Sequence, residues 1–447
     1  MTTFAAFTDC VRTPTLFDAC TATTLVSDQF GTSTRKSQLS SIGGRTCIQL
    51  TGLDSTLQTN WTQSTALALQ ADAESIYVLL YCSDPYLLEQ GTATRVYWMP
   101  ETSPGSNTTD GTNTLMGGVW STEELGNQWV LCCVPFSLMT ANGTATTTDQ
   151  RSKKTMRIGV RVTVASGTKP DVYVGGIWIG GAQRSKVMLS YDGCYISQNT
   201  LVKPAHDTYG LTGTLYVAKS VVDSSASYLT TAQLDTFYAA GWSIAGHSYT
   251  GVALETLSES AMVDEIGNFR RWAQGRGYAR GDGHWAWGYS VGTNNASAEI
   301  RSTVTRVLQQ SGLKSLRVGN VGSGLTHMRA KSEGLSLGTI ETGVKTICAP
   351  QLTSGLSIAQ MRAFISSGIR HRIPVNVYCH EVAANQAATV ANTATNFITP
   401  TNYDQTTTPG ATQSWIPWLW TNKMAGLIDV VSIDDWYRGL TQPASVA

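Results

Sequence analysis

The chain has 447 residues, 31 basic against 31 acidic, and a formal net charge of +0 at pH 7. That length exceeds one ordinary hydrophobic core, so two or three domains are expected. The balanced charge gives no electrostatic footing to DNA, RNA or an anionic membrane, and neither nucleic acid nor membrane is an expected partner. Abundant glycine (42), tyrosine (17) and tryptophan (13) suggest a β-rich, loop-rich protein whose exposed aromatics could stack on sugar rings. The nine cysteines are scattered without a C-x-x-C pair, which reads as reduced thiol rather than a disulfide framework or zinc site.

The N-terminal "MTTFAAFTDCVRTPTLFD" has neither the basic start nor the apolar core of a signal peptide. No window approaches about 18 uninterrupted apolar residues, so no transmembrane segment is expected. Residues 1–40, with "LVSDQFGTSTRKSQLSS", are poorly patterned and read as an arm that docks on a partner. Over 41–183 the apolar period is two. Strands are expected at "TCIQLTG" (46–52), "ALALQA" (66–71), "SIYVLLYC" (75–82), "TRVYWMP" (94–100), "QWVLCCVPF" (128–136), "MRIGVRVTV" (156–164) and "DVYVGGIWIGG" (171–181). Short strands with turn-rich links such as "ETSPGSNTTDGTNT" predict a β-sandwich, of jelly-roll type and loosely like carbohydrate-binding sandwiches.

Near residue 183 the rhythm changes to strand–helix alternation, which implies a parallel sheet. "KVMLSYDG" precedes the helical "SQNTLVKPAHDTYG" and strand "TGTLYVAKS". Helix "TTAQLDTFYAAGW" leads to strand "SIAGHSYTG", and helix "LSESAMVDEIGNFRRWAQGRG" to strand "HWAWGYS". Helix "ASAEIRSTVTRVLQQSG" and strand "SLRVGN" follow, then "SIAQMRAFISSG" with "IPVNVYCHE", and "SWIPWLWTNKMAG" with "IDVVSIDDWYRG". Repeated units of this kind, with glycine-terminated helices, describe a distorted (β/α) barrel. Val187, Met188 and Leu189 form a buried-strand run that ends on Asp192, where barrel enzymes place chemistry. Asp192 is either a functional carboxylate or a turn residue closing the strand.

Over 186–440 the order of these features resembles the polysaccharide deacetylases, metal-dependent carbohydrate esterases on a distorted (β/α) barrel. "VMLSYDG" looks like the family's first catalytic strand, "LTTAQLDTFYAAGWSIAGHSYTGVALETLS" like its helix and histidine segment, and "PVNVYCHE" like its late histidine strand. The resemblance implies a general base and a metal ligand as adjacent aspartates, then two ligand histidines four apart. This chain has Asp192 followed by Gly193, and His247 followed four residues on by Gly251. In the plainest register the base survives and His247 is the only retained ligand; a shifted register makes Asp192 the ligand and loses the base. Either way no metal cofactor is expected, since one imidazole does not replace three protein ligands. Zinc or another divalent metal would need a rebuilt set that includes His284. His380 matches the family's late general-acid histidine.

Other candidates carry bland alternatives. Asp282 could rebuild a site with His284, or pair with Asp192 as the two carboxylates of a glycan hydrolase. Trp285, Trp287 and Tyr289 alternate on one strand, with core packing set against sugar stacking. His206 and His371 fall on helices and are expected to be solvated. A glycan-type sandwich ahead of a degenerate deacetylase barrel fits a bacteriophage tail protein in the virion. Its expected partners are bacterial surface polysaccharide and other tail proteins. Homotrimers are common among such fibres, although no heptad or β-helix repeat points to one. The alternatives are an active deacetylase or hydrolase with a rebuilt site, and a purely structural virion protein.

Overall fold

In this computed structural model the described residues are 182–287, 303–304, 306–308, 310–320, 335–339, 345–352, 356, 358–371, 374–382, 397–398 and 415–441, together with 10–12, 14–22, 26–28, 37–50, 56–67, 75–82, 93–100, 114–117, 129–135, 140–142, 155–163 and 171–180 of the earlier chain. The chain divides into two compact units, Met1–Gln183 with Arg329–Lys345 and Pro443–Ala447, and Arg184–Met328 with Thr346–Gln442.

Among the described residues the first unit holds two large antiparallel sheets and a two-stranded one, Cys10–Arg12 with Ala182–Gln183. One has seven strands, with Leu335–Thr339, Val130–Pro135, Ser75–Cys82, Val172–Ile179, Arg45–Leu50 and Ser37–Ile42 side by side and Thr15–Asp18 also on Val172–Ile179. The other runs Thr140–Asn142, Thr114–Gly117, Ala93–Pro100, Thr155–Thr163, Thr56–Leu67 and Val26–Asp28. Ser37–Ile42 and Arg45–Leu50 form a hairpin through Gly43 and Gly44, whose positive φ angles (56° and 78°) suit a two-residue turn that follows strand twist. The described segments of residues 1–40 include strands of these sheets. Their strands are three to six residues long, too short for period two to be read from sequence. Of the strand expected over 66–71, residues 66 and 67 end a longer strand, Thr56–Leu67, and 68–71 lie outside the described residues; Leu335–Thr339 joins this unit from far along the sequence.

The second unit is built on one eight-stranded parallel sheet: β1 (Ser185–Asp192), β2 (Thr214–Ala218), β3 (Ser243–Ser248), β4 (His284–Trp287), β5 (Ser315–Asn320), β6 (Lys345–Pro350), β7 (Val375–Cys379) and β8 (Ile428–Val431). The order is β6-β5-β4-β3-β2-β1-β7. A bridge from Gln351, just past β6, to Tyr378 on β7 brings the two ends together. β8 pairs with β1 over Ser185–Met188, below the point where β2 begins at Ser190, so the sheet rolls up as a distorted barrel. The α-helices whose bounds lie among the described residues are α1 (Lys203–Tyr209), α2 (Thr231–Ala239), α3 (Glu259–Gly275), α4 (Ile358–His371), α5 (Trp415–Met424) and α6 (Ile433–Thr441). Thr230 starts α2 with a reciprocal capping box to Gln233, and Gly210 ends α1 at φ 57°.

Side-chain alternation sorts each strand into an outer and an inner face. On the outer face Tyr191 meets His206 of α1 and Trp242, and Trp285 meets Phe269 of α3. On the inner face Tyr216, Ala245 and Ala286 pack together. Deeper in the barrel, the first turn of α6 closes the floor. Ile433 N donates to Thr214 Oγ1 (2.9 Å), Asp434 N to Ser243 Oγ (3.4 Å), and Met188 packs on Ile433 and Trp436.

Candidate functional site

Asp192 is the last residue of β1, His247 lies one residue from the end of β3, and His380 follows β7 directly. All three therefore stand at the C-terminal end of the parallel strands. Asp192 is 1% exposed, and its Oδ2 accepts from Arg317 Nη2 at 2.6 Å. Arg317, on β5, is equally buried, with its guanidinium 4.1 Å from the Tyr378 ring centre and 4.9 Å from that of Tyr216. Burial works against that charge, yet Asp192 and the two tyrosines hold the Arg317 pKa above the ordinary value. Asp192 Oδ1, Arg317 Nε and Nη1, and the Tyr216 hydroxyl are buried with no hydrogen-bond partner. Buried polar atoms normally have one, so this centre holds unused bonding capacity.

Above it sit the two imidazoles, each partly exposed. His247 Nδ1 donates to Ala286 O at 3.2 Å, which leaves Nε2 as an acceptor. Gln351 Nε2 lies 3.2 Å from His380 Nδ1, while Tyr378 OH donates to Gln351 Oε1 at 3.4 Å. That orientation makes His380 Nδ1 the acceptor and Nε2–H the outward donor. Burial lowers the His247 pKa, against the pull of Asp192, and pushes His380 down to about 4. Both rings are neutral at neutral pH. The strand end carrying His247 is fixed from behind by Glu265 of α3, which accepts from Tyr249 N (2.6 Å), Thr250 N (2.8 Å) and Thr250 Oγ1 (2.9 Å).

The remaining sequence candidates go elsewhere. Trp285 is fully buried on the outer face, and Trp287, 2% exposed, donates from Nε1 to Glu255 Oε2 at 2.8 Å. Asp282 precedes β4, at the opposite end of the barrel from Asp192, and accepts from Gln274 Nε2 at 3.0 Å. Asp192 and Asp282, the pair nominated from sequence, are therefore not brought together. His284 faces the floor, bonded to Ser315 Oγ (2.7 Å) and Asp434 Oδ1 (3.2 Å), and does not join Asp192. His206, expected to be solvated, is fully buried with Nε2 2.8 Å from Tyr191 OH, because its face of α1 packs on β1 and Trp242. Tyr289 and the His371 side chain lie outside the described residues.

A metal fits this set poorly. Among the described residues no three His, Cys, Asp or Glu side chains gather as a metal centre. The positive charge beside Asp192 is the Arg317 guanidinium. Gly193 and Gly251 both adopt positive φ (82° and 89°), a conformation ligand side chains rarely occupy.

The sequence reading missed Arg317. Its signal was a lone charge in the strand "SLRVGN", which a parallel strand buried on both faces can hold only against an opposite charge.

No family model matches the chain, and no curated protein does. Among solved structures it is similar to a family 4 carbohydrate esterase from Streptomyces lividans, at 22% identity over 31% of this chain and 64% of that one, with a TM-score of 0.25. It is also similar to a family 4 acetyl xylan esterase from Clostridium thermocellum, at 17% identity over 57% and 90% with a TM-score of 0.28. A third is a family 11 carbohydrate-binding module of a Clostridium thermocellum cellulase, at 11% identity over 38% and 95% with a TM-score of 0.27. The chain thus spans less than two thirds of the Streptomyces esterase. Likeness this loose leaves the function to be carried by the site's own chemistry.

Proposed function

We propose that the chain recognises a bacterial surface polysaccharide through the barrel mouth, with little or no turnover, as a receptor-binding component of a phage tail. The observation that carries the binding reading is the pairing of an acceptor, His247 Nε2, with a donor, His380 Nε2–H, over an electrically cancelled Asp192–Arg317 pair. A sugar hydroxyl both donates and accepts, so it can use both nitrogens, and a neutral polyol meets no uncompensated charge. Asp192 Oδ1, buried without a protein partner, is a further acceptor beneath the mouth, within reach of a hydroxyl only once the site opens over it. Charge-assisted bonds of that kind contribute roughly 1.5–3 kcal/mol each.

Turnover by a deacetylase would require a group that stabilises the developing oxyanion. Among the described residues the cation of the centre is Arg317, whose Nη2 already holds Asp192, so a developing oxyanion would compete with that carboxylate for its charge.

The test incubates the protein with capsular and lipopolysaccharide glycans from a panel of bacteria, measuring retention, acetate release and chain shortening together. Retention that Asp192→Asn abolishes, with no acetate release, is the expected result. Asp192-dependent acetate release would make the chain an enzyme, and retention unchanged in Asp192→Asn would remove the mouth from the reading. The phage setting rests on the sequence alone; absence of the chain from purified virions overturns it.

A further inference from the structure

The aromatic residues nominated from sequence point away from the mouth or fall outside the described residues, yet two others flank it. Tyr195 follows the Asp192-Gly193-Cys194 turn, and its ring meets His380 edge-on, with centroids 6.4 Å apart and planes at 70°. Tyr228 lies beside it at 5.6 Å and 35°. Both are half-buried, each leaving part of its ring accessible.

The pair is held as a unit by the backbone. Tyr195 and Tyr228 form an antiparallel bridge, Leu229 N donates to Cys194 O (2.7 Å), and Ile196 N to Ser227 O (2.9 Å). The turn itself is shaped around the ring: a Cβ at Gly193 would come within 2.7 Å of Tyr195 Cε2. Burial raises the Tyr195 pKa to about 12, with Tyr228, Glu381 and Asp192 adding to it. Its hydroxyl is therefore within electrostatic range of the carboxylate at the centre of the site.

We propose that Tyr195 and Tyr228 form a preorganised stacking platform beside His380, so that the ligand is a pyranose chain of at least two linked units rather than a single sugar. The platform supplies what the polar centre lacks, a flat apolar surface for the C–H face of a sugar ring. The hydroxyls of one unit are gripped over Asp192, and the next unit along the chain lies on the tyrosines. Because the backbone bridge fixes the two positions and the rings pack on each other and on His380, little ordering cost falls on binding. This deepens the proposed glycan recognition and rests on it.

The experiment measures, by titration calorimetry, the affinity of the full chain for mono- and tetrasaccharides of the chitin and cellulose series and for the best glycan of the bacterial panel. Wild type is expected to favour a tetrasaccharide over its monomer. Tyr195→Ala and Tyr228→Ala should each weaken the tetrasaccharide about tenfold and erase that preference, while Tyr195→Phe retains it. Tyr228→Ala leaves the Asp192 turn untouched, and circular dichroism shows whether either variant still folds. If both alanine variants bind every glycan as wild type does while Asp192→Asn does not, the platform is refuted and the mouth stands. If the alanine variants weaken binding and Asp192→Asn does not, the platform stands and the mouth reading fails. Wild type binding no glycan refutes both.

Discussion

Replacing Arg317 with methionine removes a buried cation while keeping an unbranched apolar stem between Tyr216 and Tyr378. Asp192 is then left as an uncompensated anion at 1% exposure. The lost attraction at 2.6 Å is about 6 kcal/mol at an effective dielectric of about 20, and part of it is offset because the cation no longer has to be desolvated. The net loss on breaking a buried pair from one side is about 3–5 kcal/mol. Asp192→Asn in the same background removes the stranded charge and should restore at least half of that loss. The assay is urea unfolding of the single and double variants, completed as a thermodynamic cycle. A loss under about 1 kcal/mol in Arg317→Met, or no rescue by Asp192→Asn, refutes the picture of a desolvated pair. Any neutral substitution of Asp192 strands Arg317 instead, so the Asp192→Asn binding result is read beside an unfolding curve showing that the variant still folds.

Burial lowers the His206 pKa to about 3, so the unfolded chain takes up a proton before the native one does. Stability is full above about pH 6.5 and declines as pH falls toward 3, by on the order of 5 kcal/mol in total; in pH-dependent urea unfolding His206→Phe should flatten that decline, and an unchanged slope would contradict the assignment. Gly193→Asp, which would restore a second aspartate beside Asp192, instead places a side chain at φ 82° against the Tyr195 ring, and should cost about 1–3 kcal/mol in thermal unfolding without creating stoichiometric zinc binding. Elemental analysis showing one zinc per chain would overturn that expectation. Glu265→Ala releases the Tyr249 and Thr250 amides and should lose about 2–4 kcal/mol along with glycan affinity, whereas equal affinity would show that His247 needs no such support.

The three strand-end residues could be found in the sequence because a parallel strand announces itself as an apolar run, and a polar residue closing such a run stands at the rim. Asp192 after "VMLSY", His247 after "SIAG" and His380 after "VNVYC" share that pattern. What pairs with them could not be found in the same way. Arg317 meets Asp192 across 125 residues, and no local period encodes that distance. Trp285 and Trp287 were ambiguous because alternation shows that two faces exist but not which one is inside. Ala286, small enough to pack on Tyr216 and Ala245, decides it only once neighbouring strands are in register. Tyr195 stood in an unremarkable "GCYIS" and gains meaning only through the turn that folds it back toward His380.

The floor of the barrel has a consequence for how the chain is made. β1 is tied to β8 by Lys186 Nζ and Asp429, 243 residues apart, and α6 reaches Thr214 and Ser243 across 219 and 191 residues. At ordinary translation rates, roughly 5–20 residues per second, synthesis of the segment from β1 to α6 lasts on the order of tens of seconds. Throughout that time β1 has an unpaired edge along Ser185–Met188, and His284 lacks the carboxylate that will meet it. An open parallel edge of that kind is a template for pairing with other chains. Newly made protein should therefore depend on chaperones that shield β1 until Asp434 arrives. Misfolded material should accumulate in proportion to how slowly the stretch between β1 and α6 is translated.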